Sequence, residues 1–423
     1  MPIHPKGILY TATKGLNNVN LPEDIDPGYL TIADNISIDK TGNISKRSGY
    51  TRVDTALYTS LWASTNNLGC YAVRNGELIV VNKDYSYTSL LSGFDSNPLS
   101  FEEVDGMVYY SSFSSNGLIE DGKYRSWGLP RNRLSPTLSL GIGNLTAGTY
   151  QVAYTFVRTN GMESGTSAAS TITLVDGESI ILSIPTNTDP DVISARIYCS
   201  TPNGSTLYFS SEVPLGSTAT ISSSYNLINP LRTMHLDAPP KGSIISYFQG
   251  RMYVASGKVL WYSEPFQYEL FKLDSNYFEF PEDIVEVMIV DDGIWVGSDK
   301  LYYLSGDEPS TFKRSVKETV KIVGGTSTKI SGSYVHMDGI PPGYKWMVTS
   351  NLGIFMLTNG GLALNLTAMT LEVADATSGT SLFLQTKGNN QYLSILKSHQ
   401  NPNQAYMGDL VESTIIRNGI QLP

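Results

Sequence analysis

Along this chain, short apolar runs alternate with polar breaks. Nowhere does a 3.6-residue apolar period persist over three turns. One pattern recurs instead: an apolar run, a polar residue with glycine, then a second run rich in Tyr, Trp, Ile or Val. It appears as "YAVRNGELIVVN" from Tyr71, "FEEVDGMVYYSS" from Phe101, "ISYFQGRMYVAS" from Ile245, "VMIVDDGIWVGS" from Val287 and "MVTSNLGIFMLT" from Met347. A degenerate copy, "LQTKGNNQYLSI", starts at Leu384. Each instance predicts a β-hairpin: the polar-Gly pair supplies positive φ for a tight turn, and the flanking apolar residues pair across it. Further apolar runs follow, such as "KVLWYSEP" and "KLYYLSGDEP". Repeated strand pairs a few tens of residues apart predict a divergent β-propeller of about six blades. A large β-sandwich without radial symmetry is the alternative.

The middle of the chain follows a different pattern. Tyr150, Val152, Tyr154 and Phe156 alternate cleanly, as do Ile172 and Leu174, then Ile180, Leu182 and Ile184. Asn203-Gly204 marks a hairpin. Strands at this spacing predict an inserted β-sandwich of the fibronectin or immunoglobulin type. Pro-bearing linkers flank it, ending at Pro239-Pro240. The expected division is an extended N-terminal arm with a ring-closing strand over 1–50, a first propeller part over 51–134, the sandwich over 135–240 as an independently stable unit, and a second propeller part over 241–423.

Composition agrees with an all-β chain. Of 423 residues, 16% are charged and 10% aromatic, with 26 Tyr against 13 Phe. Low charge with many Tyr suits strands, turns and half-wet packing surfaces. The net charge of −10 argues against tight nucleic-acid binding, which needs a Lys/Arg excess. No signal segment and no apolar run long enough for a membrane helix is expected. Cys70 and Cys199 lack the spacing of a disulfide framework or a zinc site, and are expected to be reduced.

Candidate chemistry is sparse. His4, His235, His336 and His399 fall into no metal-ligand spacing, and no cofactor is expected. There is no G-x-S-x-G elbow, P-loop or dinucleotide fingerprint. The acid pairs Glu102-Glu103, Glu282-Asp283 and Asp291-Asp292 would point to opposite faces of a strand, so they read as turn formers and solvated acids. Ser37-Ile38-Asp39-Lys40-Thr41-Gly42 departs from the Asp-box of sugar-cleaving propellers by one residue and lacks its Trp. Trp62, Trp127, Trp261, Trp295 and Trp346 are expected in the core. The chain therefore reads as a non-enzyme.

One stretch remains, "KGLNNVNLPEDIDPGYLTIADNISIDKTGNISKRSGY", from Lys14 to Tyr50. It is too polar for a core strand pair and too rich in Asn, Asp, Gly and Pro for a helix. It resembles the start of a group of phage and prophage virion proteins. The shared elements are Gly15-Leu16-Asn17-Asn18, Pro27-Gly28, Asn35-Ile36-Ser37-Ile38-Asp39, and Gly42 to Tyr50 with its Lys46-Arg47-Ser48-Gly49-Tyr50 turn. "GRMYVASGKVLWYSEP" from Gly250, "DDGIWVGSDKLYYLSGDEPSTF" from Asp291 and "AGTYQVAYTFVRTNGMES" from Ala147 look like the same group, in the same order. The resemblance implies a tail nozzle, tail tube or tail hub protein of a short-tailed bacteriophage. Such a chain would form a ring, usually a homohexamer, below the portal and adaptor, used for DNA retention and ejection. Its implied partners are further copies, the adaptor/portal complex, tail fibre or tail tip proteins, double-stranded DNA passing without sequence-specific binding, and transiently the host envelope. It would reside in the virion, and in the host cytoplasm during assembly. The residues expected to act in the assembly arm are Asn17, Asn18, Asn35, Asp39, Arg47, Gly49 and Tyr50. The alternative function is a receptor- or carbohydrate-binding tail protein, or less readily a propeller glycan hydrolase.

Overall fold

The computed structural model describes residues 14–31, 36–38, 44–46, 54–223, 227–331, 339–373, 376–386 and 389–398. Two short strands, β1 (Gly15–Leu16) and β2 (Tyr29–Leu30), pair in parallel, and β3 (Ile36–Ile38) pairs antiparallel with β4 (Ile44–Lys46). Antiparallel meanders of four strands follow. The first is β5 (Tyr58–Ala63), β6 (Cys70–Arg74), β7 (Glu77–Val81) and β8 (Tyr87–Ser92). The second is β9 (Ser100–Val104), β10 (Met107–Ser111), β11 (Asn116–Glu120) and β12 (Lys123–Arg125).

Seven strands then form two facing sheets: β13 (Thr137–Leu145), β14 (Gly148–Arg158), β15 (Ser170–Leu174), β16 (Glu178–Ser183), β17 (Val192–Ser200), β18 (Leu207–Pro214) and β19 (Thr218–Ile221). Their orders are β13-β16-β19 and β15-β14-β17-β18. The meanders resume with β20 (Ile244–Phe248), β21 (Arg251–Ser256), β22 (Val259–Glu264) and β23 (Gln267–Phe271), with β24 (Tyr277–Glu279) added on β22. Next come β25 (Glu286–Val290), β26 (Gly293–Gly297), β27 (Leu301–Ser305) and β28 (Lys313–Glu318), then β29 (Thr328–Ile330), β30 (Lys345–Ser350), β31 (Gly353–Leu357) and β32 (Ala363–Asn365). A long hairpin, β33 (Ala376–Thr386) and β34 (Asn389–Ser398), ends the described chain. Successive four-stranded meanders are the blade unit of a propeller. The fold is an all-β, divergent β-propeller class with an inserted fibronectin/immunoglobulin-like sandwich. No described helix is long and apolar enough to cross a membrane.

The chain divides into two compact units. One comprises Met1–Leu57, Ala255–Val259 and Glu279–Pro423, the other Tyr58–Val254 and Leu260–Phe278. In the second unit, the first two meanders share a core of Tyr71, Val73, Leu78, Phe101, Val108 and Tyr110, with Trp62 stacked 5.6 Å from Phe101. The second and third share Tyr109, Leu118, Trp127, Met252, Val254 and Phe271. The sandwich has its own core, in which Tyr150, Val152, Tyr154, Phe156, Leu174, Ile180, Leu182 and Ile184 all take part. In the first unit, Met288, Trp295, Tyr303, Val348 and Phe355 join the two meanders there.

The turns follow the expected chemistry at Asn75-Gly76, Asp105-Gly106 and Gln249-Gly250, where both residues have positive φ. Asp121-Gly122, between β11 and β12, forms the same turn from a sequence too polar to register as a repeat. Two glycines serve a different purpose. The β25–β26 turn is Asp291-Asp292, and Gly293 is the first residue of β26. A Cβ there would lie 2.5 Å from the Tyr303 ring. At Gly353 φ is +111°, and a Cβ would lie 2.2 Å from Thr367 Oγ1. Close packing, as well as turn formation, requires these glycines. Asn203-Gly204 lies within a longer connection between β17 and β18, where only Asn203 takes positive φ.

Candidate functional site

The element Gly15-Leu16-Asn17-Asn18 is fitted residue by residue into the first unit. Gly15 adopts φ +86°, which favours glycine. Leu16, 7% exposed, packs among Ile330, Met347, Ile354, Met356, Leu371 and Tyr392. Asn17 is 4% exposed; its N–H donates to Leu30 O at 2.9 Å, and its Oδ1 accepts the N–H groups of Val19 and Asn20. Asn18 bonds to the segment that follows β32. Its N–H donates to Thr370 O, its Nδ2 donates to Glu372 O at 3.1 Å, and its Oδ1 accepts the Glu372 N–H at 3.0 Å. A side-chain amide thus stands in for a strand backbone. Pro27-Gly28 brings the chain back: Gly28 has φ +101°, and its carbonyl accepts the Lys14 N–H. The structure therefore brings Asn17 and Asn18 together at one dock. Asn35, Asp39, Arg47, Gly49 and Tyr50 lie outside the described residues.

The dock adjoins a buried polar cluster. Tyr392 OH donates to Thr326 O at 2.6 Å, and Thr349 Oγ1 shares hydrogen bonds with Tyr392 and Ser394. Beside it, Glu286 accepts bonds from Ser327 Oγ at 2.7 Å and from the N–H groups of Gly325, Thr326 and Ser327. Burial, the largest influence, pushes the Glu286 carboxyl above its ordinary value against the pull of these bonds. The folded chain then holds this proton to higher pH than the unfolded chain. The contribution of Glu286 to folding is fully present below the unfolded pKa and is lost as pH rises through the folded one. In urea denaturation, Glu286→Gln is expected to gain relative to the parent as pH rises from about 4 to about 7. A difference independent of pH would contradict this.

A second polar centre was not foreseen. In the second unit, Arg158 at the end of β14 is 1% exposed. It donates to Glu269 Oε2 at 3.0 Å, Asp189 Oδ2 at 2.7 Å, Gly128 O at 3.0 Å and Ser126 Oγ. Glu269 in β23 also takes Arg125 at 2.9 Å and the Gly128 N–H at 3.2 Å. Burial pushes the Glu269 carboxyl up while both arginines pull it down, and the net direction is upward. Asp189 moves the other way, lowered by Arg158 and its other hydrogen bonds against its own partial burial. Gly128 has φ +75°, and a Cβ there would lie 2.6 Å from Pro239 and 2.8 Å from Glu269 O. Both connections to the sandwich end here. Trp127 Nε1 donates to Tyr268 O, Asp237 exchanges two backbone bonds with Phe271, and the Arg131 N–H donates to Asp237 Oδ1.

In two of the acid pairs, carboxylates fasten turns and strands. Glu103 accepts Ser64 Oγ and Asn66 Nδ2, both at 2.6 Å. Asp292 accepts Tyr303 OH at 2.6 Å and the Gly360 N–H at 2.7 Å, and Asp291 pairs with Asn359. Trp127 and Trp295 are fully buried, and the other three tryptophans pack against the apolar cores. His235 lies in the loop before Asp237 with φ +65°; His4, His336 and His399 lie outside the described residues. Among the described residues no three His, Cys, Asp or Glu gather as metal ligands do. Neither Cys70 nor Cys199 is in a disulfide.

No family model matches the sequence, and no curated protein does. Solved structures share only a loose likeness. BBS1N, crystallised in complex with ARL6DN, is 10% identical with a TM-score of 0.32, covering 80% of this chain and 88% of that one. Virginiamycin B lyase from Staphylococcus aureus, crystallised in an inactive form with quinupristin, is 12% identical with a TM-score of 0.31, covering 79% and 93%. The Pan2 WD40 domain of Neurospora crassa is 8% identical with a TM-score of 0.31, covering 80% and 88%.

Proposed function

We propose that this chain is a non-enzymatic structural protein of a short-tailed phage tail. In this reading it is a ring-forming nozzle or hub subunit around the DNA channel, below the portal and adaptor. The observation that carries the reading is the Gly15–Asn18 dock. The first motif of the sequence resemblance has a position-by-position structural use: it anchors the arm on the last meander and its following hairpin. The chemistry is compatible. The conspicuous acids are engaged in turns and strand contacts, and a chain of charge −10 would let DNA pass without holding its phosphates. Electron microscopy of particles carrying a tagged copy tests the reading. The expected result is an axial ring of this subunit, six copies in number. A single peripheral copy, or particles lacking the subunit, would overturn it.

The second reading, a carbohydrate-binding tail protein, is favoured by a different observation. Tyr85 and Phe266 are exposed at positive φ on the loops joining third and fourth strands of two meanders. A glycan array separates the two readings.

A further inference from the structure

We propose that β13, an edge strand of the inserted sandwich, pairs antiparallel with β13 of a second copy of this chain. The inference goes beyond the functional reading and does not depend on it.

β13 ends the sheet β13-β16-β19, and among the described residues 137–142 pair only with β16. The other edges of the sandwich are covered or short. Beside β18, Asn229 O accepts the Phe209 N–H and Leu207 O accepts the Leu231 N–H. β15 has five residues and β19 four, whereas β13 has nine. β13 holds no Lys and no Pro, no charged residue occurs from Leu134 to Val157, and the shift in register lies beyond Ile142. A long uncharged edge of this kind is a template for another strand. Leu138, Leu140 and Ile142 share one face, opposite Leu182, Ile180 and Glu178. Leu138 packs against the sandwich core, but Leu140 is 52% exposed and Ile142 98%. Val175, also exposed, donates its N–H to Glu178, the residue opposite Ile142. The other face carries Ser139, Gly141 and Gly143, which leave room for a second backbone to approach.

Charge and register select the occupant. Arg133, which precedes one end of β13, is exposed and makes no ion pair among the described residues; Arg131 before it is taken by Asp237. Asp176 and Glu178 mark the other end: Asp176 accepts the Ala147 N–H, and Glu178 lies opposite Ile142 and Leu145. An antiparallel second β13 brings the basic end of each copy to the acidic end of the other, twice by symmetry. A parallel pairing would set like charges together. Centring the two-fold on Leu140 opposes Leu140 to itself and Leu138 to Ile142, so the three apolar residues of each copy share one face. Neighbours in a cyclic ring of more than two copies are not related by a two-fold axis. The pairing is therefore a contact separate from ring closure.

Analytical ultracentrifugation of the purified full chain at micromolar concentration tests the pairing, with circular dichroism melts to show that each variant folds. The expected result is a monomer–dimer equilibrium. Ile142→Lys, at a site too exposed to disturb the core, should weaken the dimer about tenfold. Arg133→Glu should weaken it as well, and Arg133→Glu combined with Asp176→Lys should restore it. In a Cys70→Ser background, Leu140→Cys should form an intermolecular disulfide under mild oxidation, and Ile193→Cys, comparably exposed elsewhere on the sandwich, should not. A chain that stays monomeric, as it would if another segment or another protein took the edge, would overturn the proposal. So would a dimer indifferent to Ile142→Lys or to Arg133→Glu, or a disulfide formed equally fast from both sites. None of these outcomes bears on the axial ring, so the functional reading stands or falls by its own test.

Discussion

Arg158→Ala is expected to destabilise the chain by about 3–5 kcal/mol, the range for removing one partner of a buried ion pair. The loss comes less from the missing attraction than from what is left behind. Glu269, 3% exposed, would keep Arg125 but lose its second guanidinium. The Gly128 carbonyl and Asp189 would lose the same donor. Arg158→Lys should recover only part, because an ammonium cannot fork between Glu269 and Asp189 as the guanidinium does. Arg158→Met combined with Glu269→Leu should be milder than Arg158→Ala, since it removes both buried charges while keeping volume. Urea denaturation followed by Trp fluorescence would measure all three. An Arg158→Ala loss within about 1 kcal/mol of zero would mean that water replaces the guanidinium without penalty, contrary to the burial of the site.

The second large effect is expected at the dock. Leu16→Ala should cost about 2–5 kcal/mol, the range for truncating a buried leucine. Its cavity would open among Ile330, Met347, Ile354, Met356 and Leu371. Asn18→Ala should cost less, about 0.5–1.5 kcal/mol, since Asn18 and Glu372 are exposed and water can replace the amide at the Glu372 N–H and C=O. Removing everything up to Tyr50 would combine these losses with any loss of assembly. Hydrogen exchange would locate the damage: in Leu16→Ala, protection should fall in β29–β34 and hold in the sandwich. Uniform loss across the chain, or no loss, would remove the dock as a stabilising element of its unit.

Much of this fold was legible because it is local. Asn75-Gly76 and Asp105-Gly106 announce their hairpins within a dozen residues, and Tyr150 to Phe156 display the sandwich core on alternate positions. Glycine was less transparent. Gly293 and Gly353 look like turn residues, but they make room for Tyr303 and Thr367, and the local turn pattern does not announce that packing. The Arg158–Glu269 pair spans 111 residues. One signal was present: Arg158 continues the even-numbered register of Tyr150 to Phe156, which places a cation where an apolar residue belongs. Its partner was not legible, since β23 is buried along nearly its whole length and shows no alternation. Of the arm residues, Asn17 and Asn18 have structural partners; the other five lie beyond what the structure describes.

The pinning of both sandwich connections has an evolutionary corollary. Arg131 and Asp237 touch directly, and each side of that contact is tied to the stretch from Tyr268 to Phe271. The chain leaves the blade sheets and re-enters them at nearly the same point. The sandwich is therefore a cassette: a lineage could exchange or excise it without reopening the meanders on either side. The socket is not neutral, however. Glu269 belongs to the host sheet, and it stays when the cassette goes. A replacement domain that presents no cation beside Gly128 would leave Glu269 with Arg125 alone, so the host acid favours domains that supply one.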